Sequence, residues 1–247
     1  MTLLLEDKLT KIKDALNLHQ EVGYCLDYDD NYEVIEIVND NLNKANIQYC
    51  NVDTGVSKIV VIPENCSYVL KTPLFGAIYY PEEYDEENSE YYINYDDPKF
   101  EYYEGAYYKD AELDYSNYCE LEEYLYGFAV DCGVEEMFAK TEFFGWAKYN
   151  RPVYISEKCI PYDYGEKTPT ENSRSLVKEN REKRTPGWWR MDSIVTALFI
   201  DDYGIEKANK LFQFLNDYEI DDLHTGNVMI SEKTGKIVIT DYSGVNH

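Results

Sequence analysis

The chain has 247 residues, and 48 Asp and Glu against 23 Lys and Arg give it a formal charge of −25. Such a balance repels phosphate backbones and anionic membrane surfaces and attracts basic partners, which argues against direct nucleic-acid binding. Six scattered cysteines without a CxxC pair argue against a zinc site or a disulfide scaffold and for free thiols in a reducing cytoplasm.

The first element is a helix over residues 3–18, where Leu5, Leu9, Ile12 and Leu16 recur at helical spacing. Acids and lysines interrupt this apolar pattern, so it reads as an amphipathic helix and not as a signal peptide. No apolar run approaches the length of a membrane span. A second helix is expected over residues 32–45. The texture then changes to period two: "IQYCNV", "VSKIVVIP" and "SYVLKTP" read as three antiparallel strands, separated by turn residues around Gly55 and Asn65.

Residues 81–123 carry sixteen Asp or Glu against two Lys, with ten tyrosines interleaved. Charge alone would suggest disorder, but this tyrosine density suggests a surface insertion over residues 81–115, partly ordered by aromatic packing. Helical spacing returns through Tyr118, Leu121, Leu125, Phe128 and Ala129, followed by two strands, "EFFGWAKY" and "RPVYISEKC". Residues 161–190 hold the one basic run and read as a long loop or a short helix. Its Arg174, Lys178, Arg181, Lys183, Arg184 and Arg190 suit an acidic or phosphorylated partner or, more simply, the acidic insertion of the same chain. Trp188 and Trp189, after Pro186-Gly187, are expected to anchor this segment on the core. Two further helices, "DSIVTALFIDDYG" and "IEKANKLFQFLNDY", lead to a hairpin of "VMIS" and "KIVIT".

The chemistry concentrates in "IDDLHTGNVMISEKTGKIVITDYSG", residues 220–244. Asp222 stands in a loop after a helix, where a carboxylate can orient or deprotonate an attacking hydroxyl. Asn227 follows five residues later with an amide oxygen, and Asp241 emerges from the hairpin with a carboxylate. Two hard oxygen ligands suit Mg2+, which fills its other positions with waters and phosphates. Phosphoryl transfer depends mainly on such positioning and charge neutralisation.

At these residues the sequence resembles the protein-kinase-like superfamily. The pattern D-x-x-x-x-N, a β hairpin and a further aspartate matches the catalytic loop and the metal-binding DFG position. In the form DLHxGN it is more like aminoglycoside phosphotransferases and divergent kinases, including phage-encoded ones. The resemblance implies a catalytic Asp222, metal binding by Asn227 and Asp241, and a His224 that braces the catalytic loop. It also implies a third-strand lysine for the ATP phosphates, placed at Lys71, and a helical acid that holds it. Glu122 is chosen over Glu120 and Glu123 because Leu125, Tyr126 and Ala129 follow it at three, four and seven positions. Gly55 stands alone where the family has a glycine-rich loop between the first two strands.

The expected architecture is α+β, a two-lobed protein-kinase-like fold with a truncated C-lobe. It comprises an N-terminal helical segment (1–46), an N-lobe-like sheet with one helix and the acidic insertion (47–160), and a linker with a minimal C-lobe (161–247). The cofactors expected are ATP and Mg2+. The substrate is expected to be a protein Ser, Thr or Tyr hydroxyl, and the setting the cytoplasm of a bacterium or of a phage-infected host. Two alternatives accompany this reading. One is a kinase-derived binding protein whose acidic surface inhibits a basic, nucleic-acid-binding or defence partner; the other is a small-molecule phosphotransferase.

Overall fold

The structure, a computed structural model, describes residues 3–16, 31–47, 50–54, 58–73, 76–79, 82–85, 90–93, 99–102, 118–148, 151–162, 167–221 and 223–242. It is mixed α+β. Chain contacts divide it into two units, the first Met1–Glu104 with Phe143–Tyr154, the second Gly105–Glu142 with Ile155–His247.

In the first unit, apolar periodicity makes the helices. α1 (Leu3–Ala15) buries Leu9 and Ile12, and α2 (Asn31–Lys44) buries Val34, Val38 and Leu42. Each set forms one stripe three or four residues apart. α2 ends where Asn46 takes φ 55°, with Asn46 N donating to Asn43 O and Ile47 N to Leu42 O. That is a Schellman ending, with Asn at the left-handed position.

β1 (Cys50–Thr54), β2 (Lys58–Pro63) and β3 (Tyr68–Pro73) form the expected antiparallel meander, with Thr54 opposite Ile59 and Val60 opposite Lys71. Within the acidic stretch the chain forms two nested antiparallel pairs that the sequence reading did not resolve. β4 (Gly76–Tyr79) pairs with β7 (Lys99–Tyr102) around β5 (Glu82–Asp85) and β6 (Glu90–Ile93). The meander belongs to a five-stranded sheet of order β1-β2-β3-β9-β8, closed by β8 (Thr141–Trp146) and β9 (Pro152–Glu157). Side chains fasten its inner strands: Thr72 Oγ1 donates to Pro152 O at 2.9 Å, and fully buried Arg151 donates to Pro73 O at 2.7 Å.

The second unit packs four helices around one apolar core. α3 (Tyr118–Cys132) buries Leu121, Leu125 and Ala129 at four-residue intervals, α5 (Ser193–Tyr203) is buried on nearly every side, and α6 (Ile205–Asp217) buries Ala208, Leu211, Phe212 and Leu215. A helix that is apolar all round belongs at the centre, and α5 lies there. Each fully buried Leu or Phe contributes about 1.5–3 kcal/mol of transfer free energy. α3 thus belongs with the C-terminal helices, whereas the sequence reading grouped it with the preceding strands.

α4 (Glu171–Glu182) is a twelve-residue helix in the basic segment. Thr170 caps it by accepting from Ser173 N at 3.3 Å, and Asp201 of α5 accepts from Thr170 N at 2.7 Å. β11 (Val228–Ser231) and β12 (Ile237–Ile239) form the expected terminal hairpin, and β10 (Cys159–Pro161) adds a third antiparallel strand against β11. The five described cysteines are free thiols. Among the described residues no helix is long and apolar enough to cross a membrane.

Candidate functional site

The loop that carries the motif begins where α6 ends. Glu219 takes φ 54° and Ile220 N donates to Leu215 O at 3.0 Å, another Schellman ending, with a charged residue where glycine is easiest. Ile220 and Leu223 are buried and pin the loop from below. On one side Leu223 bridges to Met191, Asp192 N donates to Leu223 O at 2.9 Å, and Arg190 Nη1 donates to Asp221 Oδ2 at 2.6 Å.

On the other side the loop joins the hairpin. Asn227 O accepts from Thr240 N at 3.0 Å and lies 3.4 Å from Asp241 N. The register continues outward from Val228 opposite Ile239. Asn227 and Asp241, fourteen positions apart in sequence, are therefore neighbours at the base of one hairpin. Their side chains carry an amide oxygen and a carboxylate, hard donors of the kind Mg2+ takes. Among the described residues no group of three or more His, Cys, Asp or Glu is clustered as a metal site. Asp222 and Gly55 lie outside the described residues.

His224 closes the tip of the loop. Its Nδ1 accepts from Gly226 N at 2.9 Å, and Asn227 N donates to His224 O at 3.0 Å. A Cβ on Gly226 would stand 2.7 Å from the imidazole, so glycine leaves room for that ring. An Nδ1 that accepts puts the proton of the neutral ring on Nε2.

The hairpin is locked to its surroundings by groups that sequence reasoning missed. Asp202 Oδ2 accepts from Ile237 N at 2.7 Å and from Lys167 Nζ at 2.5 Å. Tyr203 Oη donates to Ile237 O at 2.8 Å, and burial holds its hydroxyl far above the ordinary phenol range. Tyr242, directly after Asp241, is fully buried, packs edge-on against Phe138 at 5.1 Å and donates to Ala139 O at 3.0 Å. Burial first, and the Glu122 charge second, push its hydroxyl well above the usual range. The repeated "DDY" and "TDY" of the sequence were the available signal, but nothing in spacing says which tyrosine is buried.

Glu122 is the fully buried acid of α3; Glu120 and Glu123 are half-buried. Its Oε2 accepts from Thr141 Oγ1 at 3.0 Å, and Thr141 lies 3.3 Å from Ser156 Oγ. Lys71 is buried on β3 of the first unit, and Glu122, His224, Asn227 and Asp241 belong to the second. Trp188 anchors as expected, buried and edge-on to Phe212 at 4.9 Å, but Trp189 does not: it is 62% exposed. No protein-family model matches the chain, and no curated protein matches it.

Proposed function

We propose that the protein is a divergent kinase-like phosphotransferase of two-lobed fold, using ATP and Mg2+ to phosphorylate a protein hydroxyl. The observation that carries this reading is the backbone carbonyl of Asn227, which accepts from Thr240 N and lies 3.4 Å from Asp241 N, so that the backbones of the two proposed metal ligands are adjacent. Element order supports it as well: a lysine on the third strand, an acid on the following helix, then loop, hairpin and aspartate.

In this reading Asn227 and Asp241 hold Mg2+, which when bound neutralises phosphate charge. Asp222 orients the acceptor hydroxyl and takes its proton as the new P–O bond forms and the bond from the γ-phosphorus to the bridging oxygen breaks, releasing ADP. His224 keeps the loop closed through Gly226, and Tyr242 fixes the backbone next to Asp241. Lys71 takes the place of the phosphate-binding lysine, Glu122 that of the helical acid, and Gly55 stands in the sequence where the nucleotide loop is expected. Five free thiols support a cytoplasmic setting.

Asp241→Ala is expected to abolish Mg2+-dependent ATP binding in calorimetry while leaving the melting temperature within about 2 °C, as for a half-buried surface change. Equal Mg2+-dependent affinity in the variant would remove Asp241 from the site. A second reading, an acidic kinase-derived inhibitor of a basic protein, is favoured by the charge of −25. Capture of a basic partner by a protein that binds no nucleotide would select it.

A further inference from the structure

Two adjoining cavities open on the second unit, and Arg181 and Trp189 line both. The larger, about 520 Å3, runs along α4 beside Arg174 and Lys178; the smaller, about 310 Å3, ends at Asp221, Leu223 and His224 of the loop that carries Asp222. Together they make one groove from a cationic helix face to the candidate catalytic loop.

Arg181 is committed to the fold. It donates to Trp188 O at 2.9 Å and to Met191 O, and its guanidinium lies 5.0 Å from the centre of the Trp189 ring. That cation–π contact presents Trp189 on a fixed support, although the ring remains 62% exposed. Lys183 pairs with Glu179, and Arg190 with Asp221. Arg174 and Lys178 are different: both are exposed, and neither forms an ion pair with any described residue. At i, i+4 on one helix they repel each other. Two unneutralised cations side by side, in a chain of charge −25, gain stability when an anion joins them.

The two ends of the groove differ in charge. The loop end carries the carboxylates of Asp192 and Asp221, the latter already satisfied by Arg190. Arg181 and Arg190 balance these carboxylates in the same lining, so this end suits a neutral hydroxyl-bearing residue. The α4 end sets Arg174, Lys178 and Arg181 against the single carboxylate of Glu182 and suits carboxylates, and Arg174 to Arg181 spans about 10 Å, the length of roughly three extended residues. A nucleic acid would present phosphates along the whole groove and meet the negative field of the chain.

We propose that this groove docks an Asp/Glu-rich segment of the acceptor protein: its carboxylates would lie on Arg174 and Lys178, an apolar or aromatic side chain against Trp189, and the acceptor hydroxyl at the loop. The assignment rests on the kinase-like reading for what happens at the loop, but docking itself is measurable without ATP.

The test is fluorescence anisotropy with a labelled Asp/Glu-rich peptide containing one Ser and one Tyr. It is run beside its Asn/Gln counterpart and a single-stranded oligonucleotide of equal charge, at low and high salt. The acidic peptide is expected to bind wild type, to weaken with salt, and to bind the Arg174→Glu/Lys178→Glu variant about tenfold or more weakly. Trp189→Ala weakens it as well. If the doubly reversed variant does not fold, Arg174→Gln/Lys178→Gln takes its place. Equal affinity in the variant, or for the Asn/Gln peptide, overturns the proposal, as does an oligonucleotide that binds as tightly and responds to the same substitutions. Peptide docking without phosphoryl transfer to any protein would sink the kinase reading and leave the groove standing. Transfer without peptide docking would do the reverse.

Discussion

At Gly187 the chain runs with φ +80°, and a Cβ would stand 2.0 Å from the carbonyl oxygen of Phe212. Only glycine lets this loop lie against α6, and that contact seats Trp188 on Phe212 and sends Trp189 outward. Gly187→Ala combines left-handed strain with a backbone clash, so it is expected to cost on the order of 3 kcal/mol. Urea unfolding measures this, and a loss under about 0.5 kcal/mol would show that the loop shifts freely. Single residues were unevenly legible. The burial of Glu122 was readable because Leu125 and Ala129 follow it on one face, and that face is buried. Trp189 was not, because "PGWW" gives two identical side chains and only the tertiary contact decides which one turns inward. The Arg190–Asp221 pair joins residues 31 apart in sequence, and no local pattern announces it.

Among elements, the β11–β12 hairpin matters most, because it carries Asp241. Its fastening depends on two phenols that must stay protonated, Tyr203 donating to Ile237 O and Tyr242 donating to Ala139 O. Burial raises both above the ordinary phenol range near 10. In the unfolded chain they ionise near that ordinary value, so their contribution is complete below about pH 10 and is lost as pH rises above it. Each unit above pH 10 is expected to remove about 1.4 kcal/mol of stability per tyrosine until the folded state also ionises. Urea midpoints between pH 9 and 11.5 read the slope, and Tyr242→Phe should flatten it. An unchanged slope would show that Tyr242 is not shielded in the folded state. The hairpin was legible from "VMIS" and "KIVIT" around a Lys-Thr-Gly turn, as were the two helices before it. α4 was harder to read, because only Ser173 and Val177 of its twelve residues are buried and its start depends on the Thr170 cap. The nested strand pairs within residues 76–102 were hidden by charge, which outweighs the tyrosine alternation in any hydropathy pattern.

For the whole molecule, two contact units are built in different ways. The first is a β meander with its two helices, extended by strands β9 and β8 from later in the chain; the second is a helical core bearing the loop and hairpin. The α+β class and the order of elements were legible because each segment keeps one period over its length. The sheet order was not, since placing β9 beside β3 depends on pairing between strands far apart in sequence. The charge of −25 acts at this scale too. It sets the field that any partner must cross, and the exposed cations of α4 are a local exception to it. Central to the proposal is phosphoryl transfer by the Asp222–Asn227–Asp241 stretch. The most direct measurement is transfer of label from γ-labelled ATP with Mg2+, using purified protein alone and with bacterial lysate, beside Asp222→Ala. Label on the protein or on a lysate protein, reduced at least a hundredfold in the variant, is the expected result for loss of a group acting on the acceptor proton. Transfer that persists in Asp222→Ala, or none from wild type, would contradict it.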